Sequence, residues 1–413
     1  MNSFGLLGEK LSHSFSPFIH ELLGYYEYKL YEKQTSELDE FFRHANHDSF
    51  DGLNVTIPYK KEVIKYCRSL SDAAQIIGSV NTIIRLPDGN FHGDNTDLFG
   101  FAYLLKKAEI NPFGKKAIIL GGGGSSLTVQ TVLRDMKARE IIIISRSGNS
   151  NNNYENINRQ YDAEIIINTT PVGMYPNNGA SPLGDLSMFK KCRAVIDLIY
   201  NPAKTELLMQ AEDLKIPYAN GLAMLVAQAK KSAEHFLNTA IDDTKTEEII
   251  SKIIHKTRNI ILIGMPGCGK TSIGKALADK TRREFADTDT LVEKNAKKTI
   301  PAIFSEDGEE AFRNAETDAL KELCKQSGLV IATGGGIVTR PENQRIIRQN
   351  GIIVYLDRDV SQLPTAGRPL SEREGVNALA AVRLPLYEEW SDFKIKVGGI
   401  EETAEEISGK FFN

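Results

Sequence analysis

The sequence predicts an α/β protein built from two separate series of strands and helices, and three observations carry that reading. Short apolar runs recur at 117–120, 141–144, 165–167 and 195–198, each followed by a glycine-rich or polar turn and then by residues with helical spacing. Continuous rather than alternating apolar runs imply strands buried on both faces, the pattern of a parallel sheet with helical crossovers. A second series starts at 260–263 and continues at 330–332 and 352–356. Between the two, 222–237 reads as a helix and 239–254 as a polar turn leading into another amphipathic helix, so the junction falls near 256–259 without a long flexible linker. Each series holds one glycine-rich strand-to-helix turn, and the two differ in spacing, which argues against an internal repeat.

Length and charge narrow the function. A chain of 413 residues implies two or three folded units. Its 50 basic and 54 acidic residues leave a formal net charge of −4. With no basic excess, a duplex nucleic acid or an anionic membrane held by counterion release is a poor partner. No apolar run approaches the roughly 20 residues that span a bilayer, and the first residues lack the basic cluster and apolar core of a signal peptide. The four cysteines, Cys67, Cys192, Cys268 and Cys324, are scattered outside any CxxC pattern. The expectation is a cytoplasmic enzyme acting on small molecules, with no nucleic-acid or membrane partner.

The second series opens with a phosphate cradle. Gly264-Met-Pro-Gly267-Cys-Gly269-Lys270-Thr271 matches GxxxxGK[ST] between an apolar strand and a helical run. Glycines let backbone N–H groups converge on phosphate oxygens, Lys270 reaches the outer phosphates, and the Thr271 hydroxyl is a magnesium ligand. Such a loop does not name the phosphate acceptor. Further along stand Asp287-Thr-Asp289, Gly308-Glu-Glu-Ala-Phe-Arg313, Gly334-Gly335-Gly336, Arg368-Pro-Leu and Arg383-Leu-Pro-Leu-Tyr387.

In this order, the motifs resemble shikimate kinase across 259–412. The resemblance implies that Asp287 and Thr271 hold Mg²⁺, while Asp289 accepts a hydrogen bond from the acceptor hydroxyl. It gives Arg313 and Arg383 the substrate carboxylate, for which guanidinium offers bidentate pairing. Gly334, Gly335 and Gly336 would lie against the substrate ring. Gly264, Gly267, Gly269, Lys270, Thr271 and Ser272 would bind ATP, with Arg368 on a lid neutralising the transferring phosphoryl group. The stretch 356–368 is shorter than the family's lid and lacks its second arginine.

The first series holds a different turn. Gly121-Gly122-Gly123-Gly124-Ser125-Ser126 follows one strand and opens a helix, an imperfect GxGxxG with serine at the third glycine position. The next strand ends in Ser145-Arg146 and not in an acidic residue. An acid there would bind the ribose 2′-hydroxyl of NAD, whereas an arginine accepts the 2′-phosphate of NADP, so NADP(H) is the expected cofactor.

Polar clusters precede and follow this turn: Ser12-His-Ser14-Phe-Ser16-Pro17, Asn54-Val-Thr56-Ile-Pro58-Tyr-Lys60, Gly78-Ser-Val-Asn81-Thr82, Gly93-Asp-Asn-Thr-Asp97, Asp197-Leu198-Ile-Tyr200 and Gly221-Leu-Ala-Met-Leu-Val-Ala-Gln228. Together they resemble shikimate dehydrogenase across 1–256. The resemblance makes Lys60 the proton donor to the developing alkoxide and Asp97 its partner, a task a tuned lysine performs. It puts Ser14, Ser16, Thr56 and Tyr200 on the substrate carboxylate and Asn81 and Gln228 on ring hydroxyls. Gly121 to Ser125 would carry the pyrophosphate, with Ser145, Arg146, Leu198 and Gly221 completing the NADP site.

The expected architecture is therefore a substrate-binding domain at 1–100 completed by helices at 222–256, a Rossmann-like NADP-binding domain at 101–221, and a P-loop kinase domain at 257–413. The implied reactions are consecutive: NADPH-dependent reduction of 3-dehydroshikimate to shikimate, then MgATP-dependent phosphorylation of shikimate. A ligand-sensing module in place of the first enzyme would have no need of Lys60 and Asp97. An NAD-dependent oxidation of quinate would favour an acid after residue 144.

Overall fold

The computed structural model describes residues 3–12, 14–45, 50–146, 152–364 and 375–412. The chain divides into two compact units. One comprises Met1–Val172, Pro182–Tyr200 and Gln210–Ser251; the other comprises Gly173–Ser181, Asn201–Met209 and Lys252–Asn413.

The first unit contains two sheets. One is formed by β1 (Ser3–Gly8), β2 (Glu27–Glu32), β3 (Gly52–Val55), β4 (Ser69–Leu70), β5 (Thr82–Arg85) and β6 (Phe91–Asp94), in the order β2-β1-β3-β5-β6-β4. β1 runs parallel to β2 and β3, whereas β5 is antiparallel to both β3 and β6. These strands escape the apolar-run criterion because polar residues such as Asn54, Thr82 and Asp94 interrupt them. Leu7, Phe50, Leu53, Val63 and Ile83 form the core of this part.

The other sheet joins β7 (Lys116–Leu120), β8 (Glu140–Ile144), β9 (Ile165–Asn168), β10 (Ala194–Asp197) and β11 (Tyr218–Asn220) in the order β11-β10-β9-β7-β8. All its pairs are parallel. β7, β9 and β10 are buried throughout, as their unbroken apolar runs require. The helix Asp97–Lys107 packs against the helices Gly124–Asp135 and Leu222–Leu237.

The second unit has one parallel sheet of β12 (Asn259–Ile263), β13 (Glu284–Asp287), β14 (Leu329–Ala332), β15 (Gly351–Asp357) and β16 (Phe393–Lys396), ordered β13-β14-β12-β15-β16. Its core gathers the four apolar residues of β12 with Val330, Ile331, Leu277, Tyr387 and Trp390. Among the described residues no helix is long and apolar enough to cross a membrane.

Candidate active sites

In the first unit, polar residues collect beyond the carboxyl ends of β1 and β3. A Cβ on Gly8, the last residue of β1, would stand 2.7 Å from Thr56 Cγ2 and 2.6 Å from Leu11 Cδ2, so the segment entering the serine loop passes directly beside Thr56. Ser14 Oγ accepts from the Ser16 backbone N–H at 3.2 Å, and Ser16 is also a hydrogen-bond partner of Tyr28. Phe15 meets the Tyr200 ring edge-on at 6.0 Å, which brings Tyr200 to the same loop. Burial pushes the Tyr200 hydroxyl above its ordinary range, so it remains a neutral donor.

Lys60 Nζ lies 2.6 Å from Asp97 Oδ2, with the two side chains 30% and 13% exposed. The ammonium is thus paired and still accessible. Asp97 Oδ1, on the other side of the carboxylate, accepts from Asn81 Nδ2 at 3.0 Å, and Asn81 in turn is 3.5 Å from Gln228 Oε1. Gly100 makes this convergence possible: a Cβ there would meet Met224 O at 2.7 Å and Gln228 Cβ at 3.0 Å. Only glycine lets the helix carrying Asp97 approach the helix carrying Gln228 so closely.

The nucleotide turn follows β7. Gly121 has φ +106°, and a Cβ would stand 2.8 Å from Thr169 Oγ1. The next glycine faces Ser145 at ordinary contact distance, while Cβ atoms on Gly123 and Gly124 would meet nothing within 4 Å. The helix Gly124–Asp135 starts here with no side-chain cap. Ser125 lies in its first turn. The uncapped N–H groups and open glycine surface form a cradle that fits a pyrophosphate. Arg146 is exposed immediately after β8, and Leu198 follows β10. The Leu198 carbonyl is so close to Gly221 that a Cβ there would stand 2.0 Å from it.

In the second unit the loop after β12 takes φ +147°, +82° and +106° at Gly264, Gly267 and Gly269, all in the left-handed half of backbone space. Lys270, which begins the helix Lys270–Thr281 and is 8% exposed, bonds to Gly264 O at 2.8 Å and Met265 O at 3.0 Å. Thr271 Oγ1 donates to Asp287 Oδ2 at 2.8 Å, and Asp287 Oδ1 caps the next helix through Asp289 N–H at 2.9 Å. One carboxylate oxygen and one hydroxyl suit Mg²⁺, which takes few protein ligands and fills the rest of its shell with water and phosphate oxygens. Ser272 is exposed beside Thr271.

Asp289 sits deeper. Burial, reinforced by the neighbouring Glu316 and Asp287 carboxylates, pushes its carboxyl up to about 7. Glu316 is 1% exposed and pairs with Arg313 at 2.7 Å; burial raises it too, against the pull of that guanidinium. Asp289 Oδ1 and Glu316 Oε1 are buried with no hydrogen-bond partner among the described residues. The glycine triplet is shaped by these groups: a Cβ on Gly334 would meet Glu316 Oε1 at 2.1 Å, on Gly335 the Pro266 ring at 2.6 Å, and on Gly336 an Arg313 nitrogen at 1.9 Å. Arg383 donates to Gly335 O at 3.2 Å, and Tyr387 bonds to the same carbonyl. Arg368 lies outside the described residues.

Two residues not singled out from the sequence join this constellation. Glu316 stands one helical turn after Arg313, an i,i+3 spacing that could have flagged it. Thr288, fully buried between the two aspartates, accepts the Gly334 N–H at 2.9 Å. Nothing in the spacing alone announces that bond.

Comparison with known proteins agrees with both halves. Residues 6–83 match the family model "Shikimate dehydrogenase substrate binding domain" and residues 266–412 match "Shikimate kinase". A shikimate dehydrogenase (NADP(+)) from Clostridium beijerinckii is 37% identical over 267 residues, covering 61% of this chain and 97% of its own length. One from Clostridium perfringens (strain 13 / Type A) is 34% identical over 272 residues, covering 61% of this chain and 98% of its own length. A chorismate mutase/shikimate 5-dehydrogenase fusion protein from Clostridium acetobutylicum, solved by crystallography, aligns with a TM-score of 0.58 at 34% identity over 61% of this chain and 97% of that one. The chain belongs to the shikimate dehydrogenase family and carries a shikimate kinase domain behind it.

Proposed function

We propose that this chain carries out two consecutive reactions on one carbon skeleton, reducing 3-dehydroshikimate to shikimate and then phosphorylating shikimate at its 3-hydroxyl. The observation that carries the reading is the Lys60–Asp97 pair at 2.6 Å, held from behind by Asn81 and open in front. Bound NADPH supplies hydride to the ketone carbon. Lys60 then gives its proton to the carbonyl oxygen as negative charge develops there, and Asp97 keeps the ammonium oriented. Ser14, Ser16, Thr56 and Tyr200 hold the substrate carboxylate, while Asn81 and Gln228 take ring hydroxyls. Gly121 to Ser125 cradle the pyrophosphate, with Ser145, Arg146, Leu198 and Gly221 around the nucleoside.

In the kinase unit, MgATP supplies the phosphoryl group. Arg313 and Arg383 hold the shikimate carboxylate, and the ionised Asp289 accepts the hydrogen bond of the attacking hydroxyl. The backbone of Gly334, Gly335 and Gly336 lies against the ring. Lys270 leaves its loop carbonyls for the phosphates, Thr271 and Asp287 hold the magnesium shell, and Arg368 neutralises charge on the transferring group. Both reactions draw on soluble nucleotides, and we place the chain in the cytoplasm.

One coupled assay tests the whole reading. Purified chain supplied with 3-dehydroshikimate, NADPH and MgATP is expected to form shikimate 3-phosphate, with one NADPH oxidised per phosphate ester made. An enzyme that oxidises no NADPH, or that accumulates shikimate without its phosphate, would overturn one half or the other.

A further inference from the structure

Behind the Lys60–Asp97 pair lies a closed set of hydroxyls and amides to which no role has yet been given. Its centre is Ser232, fully buried on the helix Leu222–Leu237. Ser232 Oγ is 2.8 Å from Asn54 Nδ2, 2.8 Å from Thr82 Oγ1 and 3.1 Å from Thr96 Oγ1. It is also 3.1 Å from the carbonyl of Gln228, one turn back.

A hydroxyl has one proton and two lone pairs, so four neighbours constrain every direction of bonding. Asn54 Oδ1 accepts from the Tyr28 hydroxyl at 2.8 Å, which leaves Asn54 Nδ2 facing Ser232 as a donor. The Gln228 carbonyl can only accept. With Ser232 donating to that carbonyl and accepting from Asn54, its remaining lone pair takes a proton from Thr82 or Thr96. Both threonine hydroxyls also reach Asn81 Oδ1, at 3.0 and 3.2 Å. The Thr96 backbone N–H donates to that same oxygen at 2.8 Å, which fixes the amide with Nδ2 toward Asp97 and Gln228.

We propose that Ser232 is a positioning residue for ketone reduction: by taking the proton of one threonine hydroxyl and leaving the other for Asn81 Oδ1, it works with the Thr96 N–H to hold the Asn81 amide in register with Asp97 and Gln228. This inference rests on the reading of the cleft as the 3-dehydroshikimate site. Ser232 does not touch the substrate itself. Its removal takes away the 2.8 Å partner of Asn54 Nδ2, beside which the Thr82 contact at 3.4 Å is long, and releases both threonines from their present order.

The test compares full-length Ser232→Ala and Ser232→Cys with the parent in both assays. Ser232→Ala is expected to raise KM for 3-dehydroshikimate about tenfold, equivalent to about 1.4 kcal/mol. KM for NADPH and kinase turnover should stay within twofold, and Ser232→Cys should fall between parent and alanine. On an Asn81→Ala background, Ser232→Ala should add less than twofold, because it acts through that amide. A parent-like KM, an equal rise in both Michaelis constants, or full additivity with Asn81→Ala would overturn the role. Should Ser232→Ala also lose kinase turnover, marking a folding loss, Ser232→Cys decides: a raised substrate KM alone supports the role and a parent-like one removes it. A parent chain inactive on 3-dehydroshikimate would overturn the cleft and Ser232 together, whereas an active parent matched by its alanine variant would overturn Ser232 alone.

Discussion

The turn at Gly121 to Gly124 and the loop at Gly264 to Gly269 both join a buried parallel strand to a helix, yet they meet negative charge by different means. The kinase loop carries its own cation, with Lys270 held in advance by two loop carbonyls. The dehydrogenase turn has no charged residue and offers N–H groups and open glycine surface, and the arginine assigned to its nucleotide, Arg146, stands two residues past the end of the neighbouring strand. A phosphate that is about to be transferred needs a fixed positive charge where its own charge rearranges. A pyrophosphate that merely anchors a hydride carrier does not. The acid groups differ in the same sense: Asp97 is paired on both oxygens, while Asp289 and Glu316 each keep one buried oxygen free.

The sharpest way to break this contrast is to delete each lysine. Lys60→Ala should lower dehydrogenase turnover by about 10³-fold, within the range for a general acid, and leave kinase turnover unchanged. Lys270→Ala should do the reverse. Steady-state rates of both reactions on each variant check this, and a joint fall would show that the sites are not independent.

Next in size is Gly336→Ala, whose new methyl would run into Arg313. Overpacking of this kind costs about 1–3 kcal/mol. Kinase kcat/KM for shikimate should fall by up to about 100-fold, seen mostly in KM, with reduction of 3-dehydroshikimate unaltered.

A pH series separates the acids. Asp289 is raised from an ordinary 3.8 to about 7, so kinase kcat/KM should climb about tenfold per unit on its acid limb and level off near pH 7. Between about pH 4 and 7 the folded chain keeps a proton that the unfolded chain has released, so stability falls as pH rises through that window. Asp289→Asn should flatten both trends, read by kinetics and by thermal melts across the same buffers.

The smallest effect is expected at the exposed Arg146. Arg146→Ala should reduce the preference for NADPH over NADH by about fivefold, the worth of one solvent-screened contact. A comparison of kcat/KM for the two nucleotides that finds no change would remove Arg146 from the 2′-phosphate.

The parts legible in the sequence were those in which neighbours along the chain suffice. Unbroken apolar runs announced β7, β9, β10 and β12, because a strand covered on both faces keeps its polar residues to its ends, as with Lys116, Asn168, Asp197 and Asn259. The P-loop was legible because its glycines, lysine and threonine act within eight residues. The mixed sheet was not, since strands such as β3 and β5 spend residues like Asn54 and Thr82 on side-chain hydrogen bonds. Lys60, Asn81, Asp97 and Gln228 could be named together only through family likeness, for their meeting depends on Gly100 admitting a helix from 124 residues further along. Ser232 lay beyond both routes, because its partners come from three other elements and its own helix.

The triplet at 334–336 has a consequence for how this enzyme can drift. Each of its three glycines yields to a different neighbour: a carboxylate, a proline ring and a guanidinium. A saturation library selected for shikimate phosphorylation should therefore return glycine at all three codons, with each failure traceable to its own partner. Under selection for folding alone, positions 123 and 124 should accept alanine or serine freely, since only an incoming nucleotide would object.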